Sequence, residues 1–145
     1  MHHYPKAKQI FVQSLMEPGR NLARQGDIVG AIAAYKEAQQ RAPDLEISAG
    51  QWNTLCWYGS VYEQAESVMF ACENAVELDP EVWFIRDSRG LARALTGDTQ
   101  GAIEDFQFVV ENYDNEAYQS EAQGWIEALQ NGENPFTEEW LEQLR

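Results

Sequence analysis

Trp52, Leu55, Cys56 and Gly59 fall at i, i+3, i+4 and i+7, the spacing that places side chains on one face of an α-helix. The same arrangement returns along the chain at a long, nearly fixed interval. Gly19, Cys56, Gly90 and Gly124 are separated by 37, 34 and 34 residues, and Ala31, Val68 and Ala102 repeat the first two of those spacings. Four residues after each of the latter stands Tyr35, Cys72 or Phe106. Pro43 and Pro80 end the first two units, and Asp114 takes the same place in the third. No stretch alternates apolar and polar residues for long enough to suggest a β-rich fold. The pattern predicts an all-α chain with helix pairs at 6–25 and 27–41, 48–62 and 64–78, and 82–96 and 98–113. Closing helices are predicted at 115–130 and 137–144. Gly26-Asp27 and Gly97-Asp98 supply two of the turns: glycine tolerates positive φ at a helix end, and aspartate caps the helix that follows. Tyr62-Glu63-Gln64 replaces this pair in the middle unit, a chemically weaker turn.

The interval of 34 and the residues that carry it resemble the tetratricopeptide repeat, whose pattern is W-x2-L-G-x2-Y…A-x3-F…P. The middle unit matches with Trp52, Leu55, Cys56 and Gly59, then Val68, Cys72 and Pro80. The first matches with Leu15, Pro18, Gly19 and Leu22, then Ala31, Tyr35 and Pro43, and the third with Arg86, Arg89, Gly90 and Arg93, then Ala102 and Phe106. The resemblance implies a right-handed α-solenoid of about three helix hairpins with C-terminal capping helices. Residues 1–11 extend the first helix, 12–114 form the repeats, and 115–145 form a closing helix and a short last helix, in one domain. The runs Trp52–Gly59 and Ile85–Ala92 are also similar to C-terminal repeat modules of large bacterial proteins that carry caspase-like peptidase or β-propeller domains. That likeness implies a domain excised from a longer protein.

The departures from the pattern carry expectations of their own. Pro18 removes a backbone donor inside the first helix, which predicts a kink or break near Ser14–Glu17. Arg86, Arg89 and Arg93 stand where apolar residues usually pack, so their stems should lie on the hairpin and their heads reach acids such as Glu104 or Asp105. The three extra residues of the first interval belong in the loop around Asp44–Ser48. In the closing helix, Glu116, Gln119, Gln123 and Glu127 predict a polar outer face, and Asn131-Gly132 ends it. Thr137 reads as the next N-cap, with Phe136 placed to pack on Leu141.

Charge narrows the choice of partners. The formal net charge is −14, and twelve acidic residues against one basic residue lie between Asp98 and Arg145. Such a surface repels phosphate backbones and anionic headgroups, which argues against nucleic-acid and membrane partners. No segment approaches the roughly 20 apolar residues that span a bilayer, and Met1–Ile10 does not read as a secretory signal. Cys56 and Cys72 are the only cysteines. Without a signal segment they are expected to be buried, reduced thiols in a cytoplasmic protein; the alternative is a bridge between the two arms of one hairpin, which requires Cα atoms within about 7 Å. His2 and His3 are the only histidines and lack companion ligands, so no metal, cofactor or catalytic group is expected.

In tetratricopeptide arrays the first helices of successive units line a concave groove, and the resemblance implies ligand contacts there. The positions pointing away from the pairing face are Gln13, Met16, Arg20 and Arg24 in the first unit, and Asn53, Trp57, Ser60 and Val61 in the second. Phe84, Asp87, Leu91 and Leu95 follow in the third, then Tyr118, Glu121, Trp125 and Leu129 in the closing helix. The expected partner-binding set is Arg20, Arg24, Asn53, Trp57, Phe84, Asp87, Leu91, Leu95 and Trp125. It lacks the Lys/Asn clamp with which some relatives hold chaperone carboxylates. The reading is an adaptor, not an enzyme, that binds a peptide or partner domain. The alternative is a structural module that self-associates, as a homodimer, through Trp140, Leu141 and Leu144.

Overall fold

Helical periodicity interrupted by capped turns yields eight helices among the described residues, and no strand. The computed structural model describes residues 6–145, so His2, His3 and the first part of the N-terminal extension lie outside them. The helices are α1 (Lys6–Gln25), α2 (Ile28–Arg41), α3 (Ala49–Val61), α4 (Ala65–Leu78), α5 (Trp83–Leu95), α6 (Thr99–Asn112), α7 (Glu116–Gln130) and α8 (Glu138–Glu142). α1 pairs with α2, α3 with α4 and α5 with α6, while α3 also packs along both α1 and α5. α7 lies against α6.

The small-residue series does what close pairing requires. A Cβ on Gly19 would stand 2.6 Å from Tyr35 Cδ1, and one on Gly90 would stand 2.8 Å from Phe106 Cε1. In the middle hairpin those two positions are Cys56 and Cys72, which form a disulfide with their Cα atoms 4.9 Å apart. The expectation of free thiols is therefore overturned, and the case for a reducing compartment that rested on it falls too. Packing position alone does not decide between two thiols and one bond, because both fill the same space. No described helix is long and apolar enough to cross a membrane.

Turn chemistry follows the sequence closely. Gly26 and Gly97 both adopt φ +90°. The Asp27 carboxylate accepts from the Gly30 N–H at 2.9 Å, and Asp98 accepts from Gly101 at 3.0 Å. Between α3 and α4 no glycine is present, so Glu63 takes φ 61°, and Gln64 makes no side-chain cap. α1 runs unbroken from Lys6 to Gln25 with Pro18 inside, so the expected break does not occur. The first-interval insertion falls in the linker 42–48, where Leu45 and Ile47 turn inward and are buried.

Asp105 on α6 has 0% of its side chain exposed and collects all three arginines of α5. Arg86 Nε donates at 2.7 Å, Arg89 makes a fork of two bonds at 2.9 Å, and an Arg93 terminal nitrogen donates at 3.2 Å. Arg89 also reaches Glu73 at 3.2 Å, and the Arg86 guanidinium lies 4.2 Å from the Phe108 ring centre. A buried carboxylate is tolerable only when opposing charge and hydrogen bonds surround it. Glu104, the other acid expected to serve, is exposed.

Two apolar clusters result. One joins α1–α4 and one face of α5 through Met16, Tyr35, Leu55, Ile85 and the disulfide, and the other joins the end of α3 and α5–α7 to the tail through Val61, Leu91, Phe106, Ile126, Phe136 and Leu141. Each such buried side chain contributes roughly 1.5–3 kcal/mol. Gly124 continues the small-residue series but faces open space: nothing beyond its own helix backbone comes within 4 Å of where its Cβ would be. Gln119, expected on the outer polar face, instead donates to the carbonyls of Val110 at 2.9 Å and Tyr113 at 3.1 Å, closing the C-terminal end of α6.

Candidate functional site

Helix α7 ends at Gln130, and the chain then turns back toward α3. Phe136 (2% exposed) and Leu141 (1%) are buried in the second cluster with Val61 and Leu91. Thr137 caps α8 by accepting from the Trp140 N–H at 3.2 Å, as its sequence position predicts. Arg145 finishes the path: its Nε donates to the Val61 carbonyl at 2.9 Å, and a terminal nitrogen pairs with Glu63 at 3.0 Å. The tail thus occupies the inward positions at the α3–α5–α7 end, and the apolar side chain of Leu141 meets its own chain there.

Between the tail and these helices a cavity of about 140 Å³ remains. Trp57, Asp87, Leu91 and Trp125, four of the nine expected site residues, line it together. Tyr118 and Glu121, also expected inward, join them. Phe106, Phe136, Trp140 and Leu144 complete the walls. Sequence reasoning did not place these four there, because three lie in the non-repeating tail and Phe106 reads as hairpin packing.

The cavity has ordered aromatic walls. Tyr118 stands at 85° to Trp125 with ring centres 5.7 Å apart, and Trp140 stands at 81° to Trp125 at 5.8 Å. The Tyr118 hydroxyl donates to Asp87 Oδ1. Asp87 is pushed up to about 6, chiefly by burial, opposed by the Tyr118 hydrogen bond and reinforced by Glu121 and Asp105. The Tyr118 phenol is held well above its ordinary value, by burial first and then by the neighbouring Asp87 carboxylate. No basic side chain lines the cavity.

The remaining expected residues lie elsewhere. Arg20 lines a separate, more open depression of about 330 Å³ with Gln13, Ser48, Gly50, Gln51 and Thr54. Its Nε is buried without a hydrogen-bond partner, as is Oδ1 of Asn53 on α3. Arg24 is exposed and bonds Asn21 at 3.5 Å, while its carbonyl accepts from the Tyr62 hydroxyl at 3.1 Å. The Tyr35 phenol is held above its ordinary value by burial, against the opposing pull of Arg20 and Arg24. Phe84 is 44% exposed beside Trp83 and lines neither hollow. Leu95 faces a third depression with Thr96 and the turn before α4. Met16, Ser60, Val61, Leu91 and Leu129, read as groove positions, are buried. The single inward face expected from the sequence is therefore two separate places, a polar one at α1 and α3 and an aromatic one under the tail.

The chain matches no protein-family model and no curated protein.

Proposed function

We propose that the chain is an adaptor that holds a partner polypeptide along the inward faces of α1, α3 and α5, in a solenoid of three tetratricopeptide-type hairpins. The observation that carries this reading is the tail itself. A segment with an aromatic residue, a short helix and a terminal arginine lies against α3, as a bound peptide would in such a groove. Toward α1 lies the separate, polar hollow, which no tail residue lines and where Arg20 Nε has no partner; Asn53 Oδ1 on α3 also has none. Buried polar atoms normally carry hydrogen bonds, so a shift of these side chains on binding would let each gain a partner. Arg20 and Arg24 favour an acidic group on the partner at this end. Asn53, partly exposed on α3, can offer its side-chain amide to a ligand backbone and so fix register without demanding a sequence.

Affinity capture with the full chain, compared with Arg20→Met and Asn53→Ala, tests the reading. Calorimetry on the captured partner then measures each change against a Glu104→Ala control. The two inward variants are expected to weaken binding roughly tenfold or more while keeping the parent's circular dichroism, in the range of interface positions that matter. Unchanged binding by both, with loss in Glu104→Ala, would reject the inward face.

A further inference from the structure

The hollow under the tail is more specific than a general peptide groove. The geometry points to it as a cage for an alkylated ammonium group, with Tyr118, Trp125 and Trp140 as walls and the carboxylates of Asp87 and Glu121 as counter-charge. The proposal stands apart from the adaptor reading, because a small cation can fill the cage whatever occupies the α1–α3 hollow.

Shape is the first support. Two rings stand nearly perpendicular to Trp125 and all three line the hollow, so a group placed there meets rings lying in different planes. Aromatic faces are the negative part of the ring quadrupole and attract a desolvated cation. Buried Leu91, Phe106 and Phe136 close the base and exclude the waters that a hard metal ion would keep.

Charge is the second. Asp87 and Glu121 contribute two carboxylates, while Lys, Arg and His are absent from the lining. The contrast with Asp105 is informative. That carboxylate, on the paired helix α6, is met by three guanidinium groups, whereas Asp87 on α5 receives only a phenol. An apolar ligand would gain nothing from a carboxylate kept there, and an anion would be repelled. The preponderance of acids from Asp98 onward adds a long-range field that draws cations to this end.

Size is the third. A volume of about 140 Å³ holds on the order of four or five water-sized groups at about 30 Å³ each. That suits a tri- or dimethylated ammonium head.

The test is a titration of the full chain, followed by tryptophan fluorescence and calorimetry. The probes are choline, the N-acetyl amide of trimethyl-lysine, the same amide of unmodified lysine, and 3,3-dimethylbutan-1-ol, the neutral analogue of choline. Choline or the trimethyl-lysine amide is expected to bind saturably and at least about tenfold more tightly than the neutral analogue, as a desolvated cation–π contact implies. Glu121→Gln, a change at an exposed position, should weaken the cation several-fold and leave the neutral analogue unaffected. Trp140→Ala, which removes one wall, should weaken the cation at least about tenfold in calorimetry. Tighter binding of choline assigns the cage to a free quaternary ammonium compound, and tighter binding of the trimethyl-lysine amide assigns it to a partner's side chain; either upholds the proposal. Equal affinity for the neutral analogue, or no saturable response to any cation, overturns it. The adaptor reading is tested separately, at Arg20 and Asn53.

Discussion

Cys56 and Cys72 are bonded across the middle hairpin at the same sequence separation, 16 residues, at which Gly19 faces Tyr35 and Gly90 faces Phe106. In the outer hairpins a ring fills the space left by a missing side chain, and in the middle one two sulfur atoms fill it covalently. Closing a loop of this length removes disorder from the unfolded chain worth about 3 kcal/mol. Reduction should therefore lower stability by about that amount in denaturant titrations run with and without reductant. Thiol assay in denaturant should find no free thiol before reduction. Two thiols at that stage would contradict the bond.

Asp105 should be the least replaceable residue of the third hairpin. Asp105→Asn keeps the volume but leaves three arginines without their common carboxylate, at a cost of about 3–5 kcal/mol. Arg89→Met should cost much less, since Arg86 and Arg93 still neutralise Asp105 and the stem's packing is retained. Arg89→Asp should be clearly worse than Arg89→Met, because it adds an acid beside Asp105 and Glu73. Equal destabilisation by the two changes, measured by urea unfolding, would be incompatible with this network.

Asp87 should weaken the fold at neutral pH. Its carboxyl is raised from 3.8 to about 6, so between these values the folded chain keeps a proton that the unfolded chain has lost. Stability then falls as pH rises through this window, and the ionised group is a net cost above it. Asp87→Asn removes the charge while an amide oxygen can still accept from Tyr118. It should stabilise the chain by at most about 3 kcal/mol near pH 7.5, and the gain should vanish toward pH 4. Parallel melts of the two proteins across that range cancel the other titrating groups. A gain independent of pH would show that Asp87 is not the group responsible.

The middle turn offers a gain without a loss elsewhere. Gln64 stands at the N-cap of α4 without a side-chain bond, whereas Asp27 and Asp98 each cap their helix. Gln64→Asp should place a carboxylate near the Ser67 N–H and stabilise the chain by about 1 kcal/mol. A rise in melting temperature checks it, and no rise would mean that the backbone there cannot present the cap.

The helices were legible because their ends carry their own chemistry. The starts read at 27, 48, 64, 82, 98, 115 and 137 are each the N-cap residue, one position before the first helical one. At Pro18 the helix does not break, since one missing donor did not outweigh the packing of Met16 and Gly19 on either side of it. The candidate site was half legible. Trp57, Asp87, Leu91 and Trp125 recur at inward positions, and the structure gathers them, whereas Phe84 and Leu95 share their periodicity and lie elsewhere. The remaining walls belong to the tail, whose place is set by contacts far apart in sequence, which no interval of 34 encodes.

Arg145 reaches Val61 across 84 residues in a chain whose most extensive helix pairings join near neighbours. Arrays held only by neighbouring units can open from one end, unit by unit. Here the far end is fastened to the middle, so α7 cannot peel away while the tail stays docked on α3. Docking must in turn wait until α3, α5 and α7 are in place, which makes it a late, non-local step of folding. Local opening at this end and release of the tail are thus one event, and amides of α7 and α8 should exchange with solvent together rather than in graded order from the end.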